Sequence, residues 1–291
     1  DGVTLKPTPE MLKLRLPRVG LYDRYGGSMP SGWVRWLLEQ FQFPYEQVFP
    51  PSLDAGNLAA KYDVLIFMDG IPASGREQQV FGGGEGGPGG VPANVPEQYK
   101  DRVGSITVAK TMPQLRKFVE DGGTIIAVGT SAMNLATTFN LPIADHMVER
   151  SPNAPDRRLP GEKFYCPGSV LQVEVDTASP LAWGFGDSVD VFFNNGPVFD
   201  LTPDAAAKDT RAVAWYASAS PLRSGWAWGQ NYLKDGVAAV AASVGRGHVF
   251  LFGPDITFRG QPHGTFKFLF NGIYFSTAKP GKPGAAAKTT K

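Results

Sequence analysis

The sequence predicts an α/β protein with a mostly parallel sheet flanked by helices and a second half that is rich in strands. In the first half, short apolar runs alternate four times with helical stretches, the order that builds a parallel sheet covered on both faces. The run at 64–69 is almost entirely apolar, as is typical of strands buried on both sides. From residue 169 onward, strand-like runs follow one another with little helix between them.

The first half accounts for the parallel part of the predicted sheet. Helical spacing of Trp33, Trp36, Leu37 and Phe41 indicates an amphipathic helix, and Gly122 is a plausible end for a later one. The predicted strands are 18–23, 45–49, 64–69 and 124–129, and the predicted helices are 32–43, 111–123 and 131–141. The stretch 52–63 is expected to hold a further short helix with Asp54 near its start.

The second half predicts further strands and one closing helix. The strands are predicted over 169–176, 189–194, 212–217, 236–244 and 247–253. Apolar residues at helical spacing over 264–275 predict a final helix that packs on the sheet.

The chain is expected to form one main domain over 17–276. Residues 1–16 are a predicted N-terminal extension. The stretch 70–103 is rich in glycine and proline and has no periodicity, so it is a predicted insertion within the domain. The basic, weakly apolar tail at 277–291 is predicted to be disordered.

Composition excludes several classes of function. The net charge of +1 in 291 residues gives no basic surface for nucleic acid. No run of 18 apolar residues is present, so no membrane span is expected. The opening residues do not resemble a signal peptide. A single cysteine, Cys166, can form neither an internal disulfide nor a thiolate metal site by itself.

The turn after the strand at 124–129 is the first candidate for chemistry. A strand that turns sharply into a helix around Ser or Cys is how many hydrolases hold their nucleophile. Ser131 lies in such a turn, but Met133 stands where the motif G-x-S-x-G has its second glycine. A helix N-cap role for Ser131 is therefore favoured over a nucleophile.

Two other places offer candidate residues. Arg259, Gln261 and His263 lie in a loop between a strand and the final helix, where ligands often bind in α/β sheets; hydrogen bonding of Arg259 and His263 to loop carbonyls is the alternative. Cys166 has aromatic neighbours that favour a buried, inert thiol; it stays a minor candidate, since the arginines at 157–158 would lower its pKa if they folded back onto it.

No metal site is predicted from the residues. His146 and Glu149 have the H-x-x-E spacing of zinc carboxypeptidases, and His248 or His263 could nominally supply the third ligand. The pair lies in an irregular, proline-flanked region, so chance is the favoured explanation.

Tryptophans are numerous for one domain and suggest a binding surface. Exposed indoles stack on sugars or fill interfaces. Gly and polar neighbours favour exposure of Trp226 and Trp228, whereas Trp36 is expected to pack in the core. The remaining indoles of this group are Trp33 and Trp183.

Three stretches, 18–48, 164–185 and 245–275, together resemble the C-terminal region of large secreted bacterial proteins of the carboxypeptidase A-like zinc peptidase kind. The most specific pieces are Cys166-Pro167-Gly168-Ser169 and Phe258-Arg259-Gly260-Gln261-Pro262. The likeness covers roughly 17–275. In that family, a zinc-binding peptidase domain precedes this region.

The region also resembles a class I glutamine amidotransferase-like domain. Active members carry Cys at the elbow and His-Pro-Glu after a late strand. The resemblance places the elbow at Ser131 and the later motif at Gly253-Pro254-Asp255, so that glycine replaces the base histidine.

This resemblance implies a non-catalytic accessory domain that is secreted or periplasmic and acts in docking, substrate presentation or assembly. Zinc is expected only in the peptidase domain, with no cofactor in this chain. Expected partners are that N-terminal peptidase domain, a second copy, or a glycan or peptide. Two alternatives stay open: a residual hydrolase using Ser131 or Cys166 with His263, and a glycan-binding or self-assembling extracellular subunit.

Overall fold

The structure is a computed structural model that describes residues 12–73, 94–151 and 154–280. Only the two ends of the predicted insertion at 70–103 are therefore described, and most of the predicted tail, 281–291, lies outside the described residues.

The strands and helices follow in chain order. The strands are β1 (Leu12–Lys13), β2 (Val19–Tyr22), β3 (Tyr45–Val48), β4 (Val64–Phe67), β5 (Thr124–Val128), β6 (Ile143–Asp145), β7 (Val148–Ser151), β8 (Ala154–Arg158), β9 (Pro167–Val175), β10 (Ser188–Asn194), β11 (Phe199–Leu201), β12 (Thr210–Trp215), β13 (Leu222–Ser224), β14 (Val237–Val244), β15 (Gly247–Phe252) and β16 (Lys279–Pro280). The α-helices are α1 (Met29–Gln40), α2 (Pro50–Asp54), α3 (Leu58–Lys61), α4 (Thr111–Glu120), α5 (Thr130–Thr138) and α6 (Phe266–Phe275).

A twelve-stranded sheet runs through the molecule, with its main path in the order β10-β9-β12-β14-β15-β5-β4-β2-β3. The strands from β15 to β3 are parallel, and those from β14 to β10 are antiparallel. The predicted α/β class, with a parallel sheet and a β-rich second half, is confirmed.

Both faces of the parallel half are covered, which explains its apolar strands. Alternate residues of a strand point to opposite faces. In β4, Val64 and Ile66 pack in the core shared with α1 and α6, whereas Leu65 and Phe67 pack in the core shared with α4 and α5. The strand therefore shows no polar alternation, as its sequence predicted.

Helix α1 begins earlier than its apolar spacing predicted. The Ser28 hydroxyl caps it by accepting from the Ser31 amide at 3.5 Å, and Pro30 in the first turn has the backbone angle that a helix start requires. Its buried face is formed by Ser31, Val34, Leu37 and Leu38.

The prediction of one short helix within 52–63, with Asp54 near its start, is wrong, since Asp54 is the last residue of α2. The structure has the short helices α2 and α3 instead, because Gly56 and Asn57 both have positive φ, 71° and 53°, which no α-helix can continue through.

The two ends of the described chain meet beside the amino ends of the parallel strands. Strand β1 pairs with β16, and the Thr277 hydroxyl donates to the Arg15 carbonyl at 2.9 Å. Arg15 and Arg18 both pair with the buried Asp63 carboxylate, at 2.5 Å and 2.9 Å. No helix in the described part of the chain is long and apolar enough to cross a bilayer.

Candidate functional site

The carboxyl ends of the parallel strands form the first candidate site. Strand β3 lies on one side of β2, and the next strand along the chain, β4, lies on the other, so the winding reverses between β2 and β4. Ligands of open α/β sheets bind at such a switch point. Asp23 follows β2 directly, and Asp69 follows β4 after Met68. We call the region around Asp23, Asp69 and Gly129 the carboxyl-edge crevice.

Asp69 enters this crevice from the turn after β4. Its Oδ2 accepts a hydrogen bond from the Ser28 hydroxyl at 2.7 Å. Its Oδ1 is buried and has no hydrogen-bond partner among the described residues. The following Gly70 has φ of 92°, and a Cβ there would lie 2.2 Å from the Tyr22 ring, so only glycine fits this turn.

Asp23 is buried without a cation at salt-bridge distance among the described residues. Burial raises the pKa of Asp23 even though its carboxylate accepts from the Arg24 amide and from Gln47 Nε2, both at 2.9 Å. The nearby Asp69 raises that pKa further. Two carboxylates thus share one edge of the sheet, an arrangement typical of functional sites.

The elbow turn pivots on Gly129, two residues before the predicted position. Gly129 has φ of 59° and ψ of −138°, the strained conformation that a nucleophile elbow requires, and it is the N-cap of α5. A Cβ at Gly129 would meet none of the described residues within 4 Å. The pivot therefore has space for a side chain and carries none.

Ser131 is neither this pivot nor an N-cap, so its predicted N-cap role is wrong. It is the second residue of α5 and is almost fully buried. Its hydroxyl accepts from the Ile71 amide at 3.2 Å, and Asn134 Nδ2 donates to the Ile71 carbonyl at 2.7 Å. Both side chains fix the chain that leaves β4.

Gly253, at the predicted base position, follows β15 and has no space for a side chain. A Cβ there would lie 2.1 Å from the Pro197 carbonyl oxygen. Beyond it, burial raises the pKa of Asp255, whose carboxylate accepts from the Thr257 amide at 3.3 Å.

The predicted loop residues Arg259, Gln261 and His263 are exposed on the protein surface. Arg259 has φ of 49°, and its guanidinium stacks on Phe258 at 5.2 Å from the ring centre. The His263 ring packs on Phe266 at 5.2 Å. Among the described residues, neither Arg259 nor His263 donates a side-chain hydrogen bond to a loop carbonyl.

Cys166 and His146 are held by structural contacts. Cys166 is fully buried, and burial raises the pKa of its thiol. His146 Nδ1 lies 2.6 Å from an Asp200 oxygen, whereas Glu149 pairs with Lys163. The H-x-x-E pair therefore does not converge, and the described residues contain no cluster of three potential metal ligands.

Exposed aromatic side chains form a surface on the antiparallel half. The backbones of Tyr165 and Trp228 bond each other in both directions, and Trp228 Nε1 donates to the Glu162 carbonyl at 2.7 Å. Trp226 packs edge-on against Tyr165 at 6.0 Å, and Tyr232 follows nearby in sequence. We call Tyr165, Trp226, Trp228 and Tyr232 the aromatic platform; their exposed fractions run from 40% to 55%.

A second exposed group lies on α1. Trp36 is 43% exposed, so its predicted place in the core is wrong. Leu37 and Leu38 take the buried face of the helix, which leaves Trp36 on its flank against Gly260. Trp33 packs edge-on against Trp36 at 6.1 Å.

The crevice carboxylates were missed from the sequence, although a pattern marks them. Asp23 ends the stretch LYD, and Asp69 ends FMD, so an acid follows two apolar runs of the predicted parallel sheet. Carboxyl ends of parallel strands share one edge, and the two acids could have been paired on that ground.

Solved structures share this fold. A GMP synthase-type protein from Thermoplasma acidophilum matches with a TM-score of 0.50 and 11% identity, over 89% of this chain and 94% of that one. PurLQS from Thermotoga maritima matches with a TM-score of 0.50 and 15% identity, over 89% of this chain and 99% of that one. A glutamine amidotransferase from Thermotoga maritima matches with a TM-score of 0.42 and 11% identity, over 82% of this chain and 76% of that one. No protein-family model matches the sequence, and neither does any curated protein. The fold is amidotransferase-like.

Proposed function

We propose that this chain is a non-catalytic domain that works by binding and uses an amidotransferase-like fold as its scaffold. The observation that carries the proposal is the pair of glycines, Gly129 at the elbow pivot and Gly253 at the base position. A nucleophile and a base need side chains at those positions. Glycine has none.

The aromatic platform supports a binding role. The Trp228 indole donates to the Glu162 carbonyl, and the Trp226 backbone exchanges hydrogen bonds with the Ser169 hydroxyl. The Trp226 and Trp228 side chains nevertheless remain 53% and 55% exposed. Large rigid aromatic side chains at a surface are the residues that most often anchor a partner. Trp33, Trp36 and Trp183 are exposed as well, so all five indoles of this group can contact a partner.

The context we propose is the accessory domain of a secreted or periplasmic protein of the zinc-carboxypeptidase-like kind. The resemblance of 17–275 to the C-terminal region of such proteins supports it. The partner would then be the peptidase domain of the same polypeptide, and the role would be docking, substrate presentation or assembly. Zinc would belong to that other domain.

A residual hydrolase is disfavoured by the surroundings of its candidate nucleophiles. The Ser131 hydroxyl is buried and engaged by the Ile71 amide. The Cys166 thiol is fully buried, and burial raises its pKa, which suppresses the thiolate. Within the described residues, His263 forms no hydrogen bond with either of them.

Covalent labelling tests the absence of catalysis. The native chain would be treated with a fluorophosphonate and, separately, with iodoacetamide, and then analysed by intact mass. We expect no adduct on native protein and one iodoacetamide adduct, at Cys166, after unfolding. A stoichiometric native adduct that Ser131→Ala or Cys166→Ala removes would refute the proposal.

Glycan binding or self-assembly is the second candidate, and the exposed indoles favour it. Fluorescence of the indoles would be titrated with soluble polysaccharides, and light scattering would give the oligomeric state. The double variant Trp226→Ala, Trp228→Ala should remove binding or assembly. The control Trp183→Ala changes a tryptophan that is exposed but does not belong to the aromatic platform, and it should keep binding or assembly. A monomer that binds no polysaccharide would leave the intramolecular docking role as the proposal.

A further inference from the structure

A cavity of about 310 Å³ opens where β14 ends and β15 begins, at the amino edge of the parallel strands. A strand rises about 3.3 Å per residue, so His248, near the start of β15, and Gly253, which follows its end, lie roughly 16 Å apart. We call it the amino-edge cavity; it is separate from the carboxyl-edge crevice. Its volume is at the small end of ligand pockets and holds roughly ten non-hydrogen atoms.

Three aromatic rings form one corner of this cavity. His248 and Phe250 come from β15, and Phe275 ends α6. The ring centres of His248 and Phe275 are 5.3 Å apart, those of His248 and Phe250 5.8 Å, and those of Phe250 and Phe275 5.9 Å. Such a corner offers an apolar wall, and aromatic ring faces attract cations.

The charged groups around the cavity are negative on balance. Asp176, Asp209 and Arg211 line it. Arg211 pairs with Asp209 at 3.3 Å, and Asp209 also accepts from the Ser243 hydroxyl at 2.6 Å. Asp176 is half-buried and accepts only from the nearby Ala178 amide at 3.0 Å, with no cation at pairing distance among the described residues. Its carboxylate is therefore the group left for a ligand.

His248 does not offset this negative charge. Burial lowers the pKa of His248 although the Asp209 charge opposes the change, so the imidazole is neutral near pH 7. A neutral imidazole presents one donor and one acceptor. Ser243 lies opposite His248 in the β14–β15 ladder, but its hydroxyl donates to Asp209. Ser243 and His248 therefore do not form, among the described residues, the hydrogen-bonded pair that a nucleophile and its base require. We accordingly assign the cavity a role in binding.

We propose that the amino-edge cavity binds a small organic cation, a primary ammonium group carried on an aromatic or branched apolar body. The ammonium would lie at the Asp176 carboxylate, and the body would pack in the corner of His248, Phe250 and Phe275. An anionic ligand is disfavoured because Arg211, the cation that lines the cavity, already pairs with Asp209.

Calorimetric titration of the full chain tests this proposal with three probes. We expect 2-phenylethylammonium to bind with a dissociation constant of about 1 mM or tighter. Its counterpart 3-phenylpropionate has the same ring and the opposite charge, and ethylammonium has the charge without the ring; both should bind at least about tenfold more weakly. No saturable binding of 2-phenylethylammonium up to about 10 mM, or equal binding of the anion, would overturn the proposal.

Variants locate the site. Asp176→Asn should weaken binding of 2-phenylethylammonium by about tenfold or more, since it removes a charge-assisted hydrogen bond. The matched control Asp187→Asn changes an exposed aspartate outside the cavity and should leave affinity unchanged. Ala241→Leu fills the cavity and should remove binding, which keeps the test decisive if Asp176→Asn does not fold. Wild-type affinity in whichever of these two cavity variants folds refutes the assignment.

Discussion

Two buried carboxylates, at opposite edges of the sheet, differ in whether a positively charged side chain compensates their charge. Asp63 precedes β4 at the amino edge, where Arg15 and Arg18 both pair with it. Asp23 follows β2 at the carboxyl edge, and within the described part of the chain its hydrogen-bond donors are the Arg24 amide and Gln47. The pairing of Asp63 fastens the N-terminal segment to the sheet. Among the described residues, the buried carboxylate of Asp23 has no such ion pair and fastens no segment to the sheet.

The difference shows in the direction of the two pKa shifts. Burial alone would raise the pKa of Asp63, but the hydrogen bonds from Arg15 and Arg18 outweigh it and hold that pKa well below its usual range. Burial raises the pKa of Asp23, and its donors do not reverse this. The amino edge of the fold is therefore built for stability at this position. The carboxyl edge retains a costly polar arrangement, which is typical of functional sites.

The largest expected effect concerns the two glycines of the carboxyl edge. Gly253→Ala should lower the free energy of unfolding by about 3 kcal/mol, because its Cβ would collide with the Pro197 carbonyl and the backbone must move. Among the described residues a Cβ at Gly129 meets open space, so Gly129→Ala should cost about 1–2 kcal/mol, from the strained backbone alone. Urea unfolding measures both. Equal decreases in the free energy of unfolding would contradict the conclusion that a Cβ has space at Gly129 and none at Gly253.

The next effect distinguishes the two carboxylates directly. Asp63→Asn should lower the free energy of unfolding by about 2 kcal/mol, because both arginines lose a charged acceptor. Asp23→Asn should change it by less than about 1 kcal/mol, since loss of one hydrogen bond is offset by removal of a buried charge. If Asp23→Asn were the more destabilising variant, the contrast between the edges would be wrong.

The pH dependence of stability should show the same contrast with opposite signs. The folded pKa of Asp63 is lowered, so its contribution is present above the unfolded pKa of about 3.9 and is lost as pH falls through the folded pKa. The folded pKa of Asp23 is raised, so ionising Asp23 reduces stability as pH rises above about 3.9. Thermal unfolding between pH 2 and 7 would measure this. Relative to wild type, Asp63→Asn should flatten the acid loss, and Asp23→Asn should steepen it.

The smallest expected effect concerns Ser131, the candidate nucleophile of the elbow turn. Ser131→Ala should lower the free energy of unfolding by about 1 kcal/mol, because the buried Ile71 amide loses its acceptor. The exposed neighbour Thr130→Ala is the matched control and should change it by less than about 0.5 kcal/mol. A Ser131→Ala variant as stable as the control would remove the structural role assigned to this hydroxyl.

Local pattern was enough to predict the parallel half of the fold. Strands β2, β4 and β5 are buried on both faces, so their residues are apolar regardless of alternation, and the sequence shows this directly. The short strands β6, β11 and β13 were not predicted, because three residues carry too little periodicity to be distinguished from a turn. Their pairing depends on distant partners.

The sequence by itself determined the α/β class, the glycine at position 253 and the polar surroundings of Trp226 and Trp228, since composition and short-range spacing express these. Only the tertiary structure decided that the elbow pivots on Gly129, that Asp23 and Asp69 share one edge, and that Asp176 meets His248, Phe250 and Phe275 at one cavity. The physical reason is that backbone strain and side-chain convergence are set by how strands distant in sequence lie side by side.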